Sequence, residues 1–275
     1  MNEAHDKATP TDRLADSFAR AKAEQRGHLI VYLTAGDPDL ETTATLVPAL
    51  AEAGADAVEL GIPFSDPLAD GPIIQAAAQR SLERGCTVRG VIECVRRIRE
   101  QTELPLVFMT SYNPILRMGA AEFAQRSAEA GVDGMLVTDL QPSEAGEWVD
   151  LLASEGLNSI FLVAPSTTPE RVALATRMTT GFVYCVSRPG VTGVQDDLPE
   201  ELTELVARIR RTTGKPIAVG FGVSTPEHVR SVCAVADAAI VGSAMVRRIA
   251  EAEGRDAVLA AATAFAGELA AGRRR

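Results

Sequence analysis

Val58-Glu59-Leu60-Gly61-Ile62-Pro63-Phe64-Ser65-Asp66-Pro67-Leu68-Ala69-Asp70-Gly71-Pro72-Ile73-Ile74-Gln75 is the stretch whose reading decides the fold. Ala57 to Leu60 is a short apolar run interrupted by one acid, as an inner strand reads when its end points at a site. Ile62 to Gly71 carries Pro63, Pro67 and Gly71 and can continue neither strand nor helix. Asp70-Gly71-Pro72 starts a helix, with an acid near the N-cap and proline in the first turn. Two carboxylates therefore bracket the segment, Glu59 at the end of a strand and Asp70 on the loop it feeds, which suits general acid–base work. Taken alone, an aspartate placed like Asp70 caps a helix far more often than it catalyses. Glu59 resists the bland explanation, because an ionisable side chain in a buried strand is costly without a partner or a task.

The same unit of strand, loop and amphipathic helix recurs along the chain. Strands are expected at 29–33, 57–60, 105–109, 134–137, 159–163, 182–186, 216–219 and 238–241. Helices are expected at 41–53, 72–84, 87–101, 113–130, 143–154, 169–178, 200–212, 225–235, 243–251 and 256–271. An earlier amphipathic segment, Thr11 to Ala23, has Leu14, Phe18 and Ala21 on one side and Thr11 as its cap. It precedes the first strand and is expected to plug the barrel floor. Eight strands alternating with helices imply parallel pairing and an α/β fold, a (β/α)8 TIM barrel with an extra N-terminal helix. Chemistry in such barrels sits at the C-terminal ends of the strands, where Glu59 falls. A single domain over residues 11–271 is expected, with disordered tails at 1–10 and 272–275.

With 275 residues the chain accommodates one barrel of about 250 residues. A formal charge of -10 argues against nucleic acid or an anionic membrane as partner. No apolar run approaches the roughly 18 residues that span a bilayer, and the polar start, Met1 to Asp12, reads as neither signal nor transit peptide. A cytoplasmic protein is expected. Cys86, Cys94, Cys185 and Cys233 show no metal-type pairing and His5, His28 and His228 are scattered, so no metal site follows and free, buried or half-buried thiols are expected.

Gly220-Phe221-Gly222-Val223-Ser224 follows the seventh strand and Gly242-Ser243-Ala244 the eighth. Barrels that take phosphorylated substrates often bind the phosphate there, through backbone N–H groups and a helix N-terminus, without Lys or Arg. Arg188 to Asp197 lacks apolar periodicity and reads as a flexible loop. Tyr32, Met109, Leu136, Leu162, Tyr184 and Phe221 fall in or just beyond strands and are candidates for an apolar pocket. Tyr184 is the one suited to a polar role, its hydroxyl orienting Glu59.

The run from Glu59 to Pro72 resembles the signature of the tryptophan synthase alpha subunit family, and the likeness extends from Leu33-Thr34-Ala35-Gly36-Asp37-Pro38 to Gly242-Ser243-Ala244. The resemblance implies retro-aldol cleavage of indole-3-glycerol phosphate to indole and glyceraldehyde 3-phosphate in tryptophan biosynthesis. It implies Glu59 for proton transfer at indole C3 and at the glycerol hydroxyl, and Asp70 for the indole N–H. Gly193, Gly222, Gly242 and Ser243 match phosphate-binding positions, and Thr192 matches a loop threonine that meets Asp70 when the loop closes. No cofactor of its own is implied. A pyridoxal-phosphate beta subunit is the implied partner, in a heterotetramer of two alpha and two beta chains, with Ile62–Asp70 and the segment around Asn113 and Gln141 facing it. Ser111 where an aromatic is usual, Gln141 in Leu140-Gln141-Pro142, and Pro189 depart from the pattern. A stand-alone indole-3-glycerol phosphate lyase releasing free indole would use the same residues and is the alternative. A non-catalytic activator should have lost Glu59 or Asp70, and another phosphosugar barrel would lack the pair.

Overall fold

The computed structural model describes residues 12–186 and 199–274. Eight parallel strands close into a barrel in chain order: β1 (His28–Thr34), β2 (Ala57–Gly61), β3 (Leu106–Thr110), β4 (Gly134–Val137), β5 (Asn158–Val163), β6 (Val183–Val186), β7 (Ile217–Gly220) and β8 (Ala238–Val241), which returns to pair with β1. Helix α1 (Arg13–Ala23) comes first, and α2 (Leu40–Glu52), α3 (Pro72–Glu83) and α4 (Val88–Arg99) surround the first strands. Further round lie α5 (Tyr112–Met118), α6 (Ala120–Ala130), α7 (Gly146–Ser154), α8 (Pro169–Met178), α9 (Glu200–Arg210), α10 (Pro226–Val235), α11 (Ser243–Ala250) and α12 (Arg255–Ala271). No helix among the described residues is long and apolar enough to cross a membrane.

Alternate strand residues feed two separate cores, as a period of two requires. Val31, Leu33, Val58, Leu60, Phe108 and Val219 pack outward beneath the helices. Ile30, Ala57, Val107, Leu136, Ile160, Phe182, Ala218 and Ile240 fill the interior. Both faces are buried, so the strands read as apolar runs without polar alternation. Leu14 and Phe18 of α1 join the interior set, so this helix closes the floor. Phe18 stacks on His28 at 4.1 Å and lies 5.8 Å from Phe182. Full burial of each such side chain stabilises by about 1.5–3 kcal/mol.

The floor also answers the backbone's demand for partners. Asp56, just before β2, accepts the Leu29 N–H of β1 at 2.9 Å. Asp133, just before β4, accepts Leu106 N–H at 2.7 Å, and Asp237, just before β8, accepts Ile217 N–H at 2.9 Å. Before β6 the Thr180 hydroxyl oxygen takes the same role toward Ser159 N–H at 2.8 Å. Each even strand thus begins with a side chain that satisfies the start of the odd strand before it. The aspartates are in turn paired with arginines: Asp56 with Arg26 and Arg273, Asp133 with Arg99 and Arg13, Asp237 with Arg210.

Three local expectations are corrected. The helix expected over 113–130 is two helices, because the chain turns at Gly119 with φ of 94°, a conformation that favours glycine. Helix α1 is capped by Asp12, whose carboxylate accepts Ala15 N–H at 3.0 Å, while Thr11 lies outside the described residues. The tail expected at 272–275 is packed through residue 274: Arg273 O accepts Gly27 N–H at 2.8 Å, its guanidinium meets Asp56 at 2.7 Å, and Arg274 bridges to Arg26. Residues 1–10 and Arg275 lie outside the described residues. Cys86 is a half-buried free thiol, Cys94 and Cys185 are buried free thiols, and Cys233 is buried.

Asp133 and Arg99 are both nearly inaccessible, and Arg99 also donates to the carbonyls of Gly131 and Leu104. Removing the carboxylate strands a buried guanidinium. Asp133→Ala should therefore destabilise the fold by about 3–5 kcal/mol, read as a lower urea midpoint by the fluorescence of Trp148, which is buried beside Tyr112 and Phe123.

Candidate functional site

Glu59 stands in register with Tyr32 of β1 and Val107 of β3 and shares its face of β2 with the interior residue Ala57. It is 0 % exposed, and among the described residues neither carboxylate oxygen has a hydrogen-bond partner. Burial, and then the charge of Asp70, pushes its carboxyl up to about 8. The group is consequently a neutral acid at pH 7, able to give a proton before it takes one.

Asp70 is half-buried at the end of the β2–α3 loop, and burial raises its carboxyl above the ordinary range. The N-cap of α3 is Gly71, with no side-chain capping bond, so the bland role for Asp70 is not the one it plays. Its backbone carbonyl accepts from Gln75 Nε2 at 2.8 Å, and among the described residues its carboxylate makes no hydrogen bond. Two tyrosines complete the electrostatic neighbourhood. Burial raises both hydroxyls well above their usual range, with Asp70 the next cause at Tyr32 and Glu59 the next at Tyr184. Both therefore stay protonated and can donate. Tyr184 lies in the interior but makes no hydrogen bond to Glu59, whose oxygens are unpartnered among the described residues.

Tyr32 owes its place to Gly61. A Cβ on that glycine would stand 2.1 Å from the Tyr32 hydroxyl and 2.6 Å from Cζ, so the ring occupies the slot directly above Glu59 on the inward face of β2. The hydroxyl lies 3.4 Å from Thr34 Oγ1. Tyr32 clusters with Ala77 and Val246, and Ile73, Ile74 and Met109 pack against them. These make an apolar wall at the mouth. Ile73, Ile74, Ala77 and Val246 were missed from sequence because they belong to helices; the apolar pair straight after Pro72 was the available signal. Leu136 is fully buried in the barrel interior, and Phe221 packs on the helix-side core and 5.7 Å from His228, so neither joins this wall.

The glycine loops flank the mouth as expected from their positions after β7 and β8. Gly222 is exposed, and beyond its chain neighbours no atom of the described residues lies within 4 Å of where its Cβ would be. Thr225 caps α10 by accepting His228 N–H at 3.2 Å, which satisfies one donor of that helix start. Helix α11 differs: its N-cap is Gly242, no side chain caps it, and Ser243 is exposed at its first position. Its first-turn N–H groups have no intrahelical acceptor and are suited to an anion. Thr192, Gly193 and Pro189 lie outside the described residues. Ser111 precedes α5 as its N-cap without a side-chain bond, and Gln141 O accepts Glu144 N–H in a turn. No cluster of three metal-ligating side chains occurs among the described residues. A cleft of about 400 Å³ at the barrel floor is lined by Arg13, Arg99 and Asp133, which are already paired with one another, and lies apart from Glu59.

Residues 18–274 match the family model described as tryptophan synthase alpha chain. The tryptophan synthase alpha chain of Opitutus terrae is 47% identical over 264 residues, covering 96% of this chain and 99% of that one. That of Solibacter usitatus is 47% identical over 86% of this chain and 89% of its own. Among solved structures, tryptophan synthase from Mycobacterium tuberculosis superposes with a TM-score of 0.88 at 39% identity, over 96% of this chain and 98% of that chain. The tryptophan synthase a2b2 complex of the hyperthermophile Pyrococcus furiosus gives 0.84 at 43% identity, over 89% and 98%.

Glu59 should make stability depend on pH in an unusual direction. A carboxyl raised from 4.5 to about 8 holds in the folded state a proton that the unfolded chain releases. Its contribution is neutral below the unfolded value and becomes steadily more unfavourable up to about pH 8. Glu59→Gln should melt higher than the parent, with a gap of several degrees at pH 8 that shrinks toward pH 5; an equal gap at both pH values would contradict the assignment.

Proposed function

The chain belongs to the tryptophan synthase alpha chain family, and we propose that Glu59 and Asp70 are the acid–base pair with which it cleaves indole-3-glycerol phosphate into indole and glyceraldehyde 3-phosphate. The observation that carries this is the carboxyl of Glu59, without a hydrogen-bond partner among the described residues, buried at the mouth and raised to about 8 beside Asp70. The protein is a carbon–carbon lyase. Glu59 gives its proton to indole C3, which turns the ring into an indolenine-like cation. Asp70 accepts the ring N–H and stabilises the positive charge there. The carboxylate left on Glu59 takes the proton from the hydroxyl on the carbon bonded to C3. As that bond breaks, its electron pair returns to the ring and the carbon becomes the aldehyde. One proton enters and one leaves, so Glu59 ends as it began.

Tyr184 and Tyr32, both kept protonated, are neutral hydrogen-bond donors beside Glu59, with Tyr32 and Met109 against the indole ring. Gly222, Gly242, Ser243 and the start of α11 take the phosphate, and Phe221 supports the β7–α10 loop. Thr192 and Gly193 belong to the loop that closes over the substrate and excludes water. We take the chain as one barrel domain in the cytoplasm, as befits a biosynthetic family. Its partner is a tryptophan synthase beta subunit, two alpha with two beta chains, in keeping with the Pyrococcus furiosus complex. Leu68 on the β2–α3 loop is 90% exposed and Leu116 on α5 is 57% exposed, the kind of apolar surface that a partner covers. No observation favours the stand-alone lyase.

Purified chain should release indole from indole-3-glycerol phosphate slowly, and faster when the beta subunit is added. Glu59→Gln should cut kcat by about 10²–10⁴-fold while the far-UV spectrum is unchanged; near-normal turnover in a folded variant would remove Glu59 from the reaction. Leu116→Asp should leave the activity of the isolated chain intact and weaken the beta-subunit stimulation by about tenfold or more in partner concentration. Equal stimulation of both would place the partner elsewhere.

A further inference from the structure

Between Ile62 and Asp70 the chain offers little to hold the second carboxylate. Ser65, Asp66, Leu68 and Ala69 are exposed, and among the described residues the loop's side-chain hydrogen bond is internal, from Ser65 Oγ to Asp66 at 2.5 Å. Among the described residues, the hydrogen bonds that fix Asp70 relative to Glu59 run from the other direction, through α3.

One turn of that helix is clipped to the loop that follows β1. Arg80 grips Asp37 with both arms, Nε to Oδ1 at 2.9 Å and Nη2 to Oδ2 at 2.6 Å. Asp37 is 7% exposed. The fully buried Ser81 donates to Ala35 O at 2.6 Å, and Arg84 donates to Pro38 O. The clipped loop is itself joined to the strand that carries Glu59: Ala35 N–H donates to Gly61 O at 2.9 Å, and Tyr32 and Thr34 pair with Glu59 and Gly61. At its other end α3 holds the backbone of Asp70 through Gln75, whose Nε2 donates to Asp70 O at 2.8 Å and whose N–H donates to Gly71 O at 3.0 Å. A continuous frame runs from Glu59 across β1 to Asp37, along α3, and back to Asp70.

We propose that the Asp37–Arg80 pair is a positioning device for the reaction, setting the angle of α3 and with it the placement of Asp70 opposite Glu59. The proposal rests on the acid–base reading of those two carboxylates. Neither Asp37 nor Arg80 touches substrate in it. Two parallel charge-assisted bonds fix direction as well as distance, which a single contact does not. From Arg80 back to Pro72, the first residue of α3, is about 12 Å of helix at 1.5 Å per residue, so a tilt of about 5° moves that end, and Asp70 just before it, by about 1 Å. A displacement of that size can cost about 10²-fold in rate. Ser81 anchors the same turn but leaves rotation about its one bond open.

The test uses the full chain with Asp37→Asn and, as a second variant that keeps the charge, Arg80→Lys, whose ammonium cannot make the fork. Cleavage of indole-3-glycerol phosphate gives kcat and KM. Calorimetric binding of two probes, indole-3-propanol phosphate and its 1-benzofuran counterpart, reports Asp70 alone, since the second lacks the ring N–H. The parent should prefer the indole probe by about tenfold, the worth of one hydrogen bond to a charged group. In both variants kcat should fall by about tenfold or more with KM changed by less than about threefold. Their preference for the indole probe should collapse toward that of Asp70→Asn. Unchanged kcat and preference, or equal weakening of both probes with activity following only the folded fraction, would overturn the proposal and leave the pair a structural clip. A parent chain that fails to cleave the substrate would instead overturn the acid–base reading.

Discussion

A closed parallel barrel has no free edge, but the strand starts still present backbone N–H groups that burial would leave unpaired. Asp56, Asp133 and Asp237, with Thr180 in the equivalent place, accept those groups. The rest of the molecule depends on that contact. An unsatisfied buried amide costs about 1–3 kcal/mol, and a carboxylate brought in to satisfy it must be neutralised in turn. Arg26, Arg273, Arg99, Arg13 and Arg210 do so, and they reach the floor from helix, loop and C-terminus. The ends of the chain are thereby tied to its middle.

The two ends of the barrel treat charge in opposite ways. At the floor every buried aspartate has arginine partners and accepts a backbone N–H. At the mouth, Glu59 sits in the same low-dielectric interior with neither among the described residues. The cost of placing it there is what raises its carboxyl to about 8 and keeps it protonated near neutrality. A rigid floor lets the mouth carry that unfavourable group without loss of fold, which is the usual relation between scaffold and site. The Asp37–Arg80 pair belongs to the mouth by position but resembles the floor in chemistry, a paired ion holding an element in place.

Much of this was legible in the chain. The alternation of short apolar runs with amphipathic segments located all eight strands, because periodicity is a local property. Boundaries moved where a single residue intervened, as at Gly119, whose positive φ divides α5 from α6. The floor device was present as Gly54-Ala55-Asp56, Gly131-Val132-Asp133 and Val235-Ala236-Asp237, each just ahead of an even strand. Nothing in those triplets shows that Asp56 and Asp133 each accept an N–H 27 residues earlier. For the same reason Arg273 and Arg274 read as a loose tail, although their partners, Asp56 and Arg26, lie near the other end of the chain.

By itself the sequence determined the fold class and the pair of carboxylates, since strand and helix periods, the Pro/Gly-rich loop and an acid inside an apolar strand are all read within a few neighbouring residues. Only the tertiary structure decided what those carboxylates are. It left Glu59 without a hydrogen-bond partner among the described residues, gave the N-cap of α3 to Gly71 and not to Asp70, seated the Tyr32 ring in the space left by Gly61, and put Leu136 in the interior core away from the mouth. Protonation and orientation depend on the dielectric and on neighbours brought together across the barrel, and those distances exist only once the strands have closed.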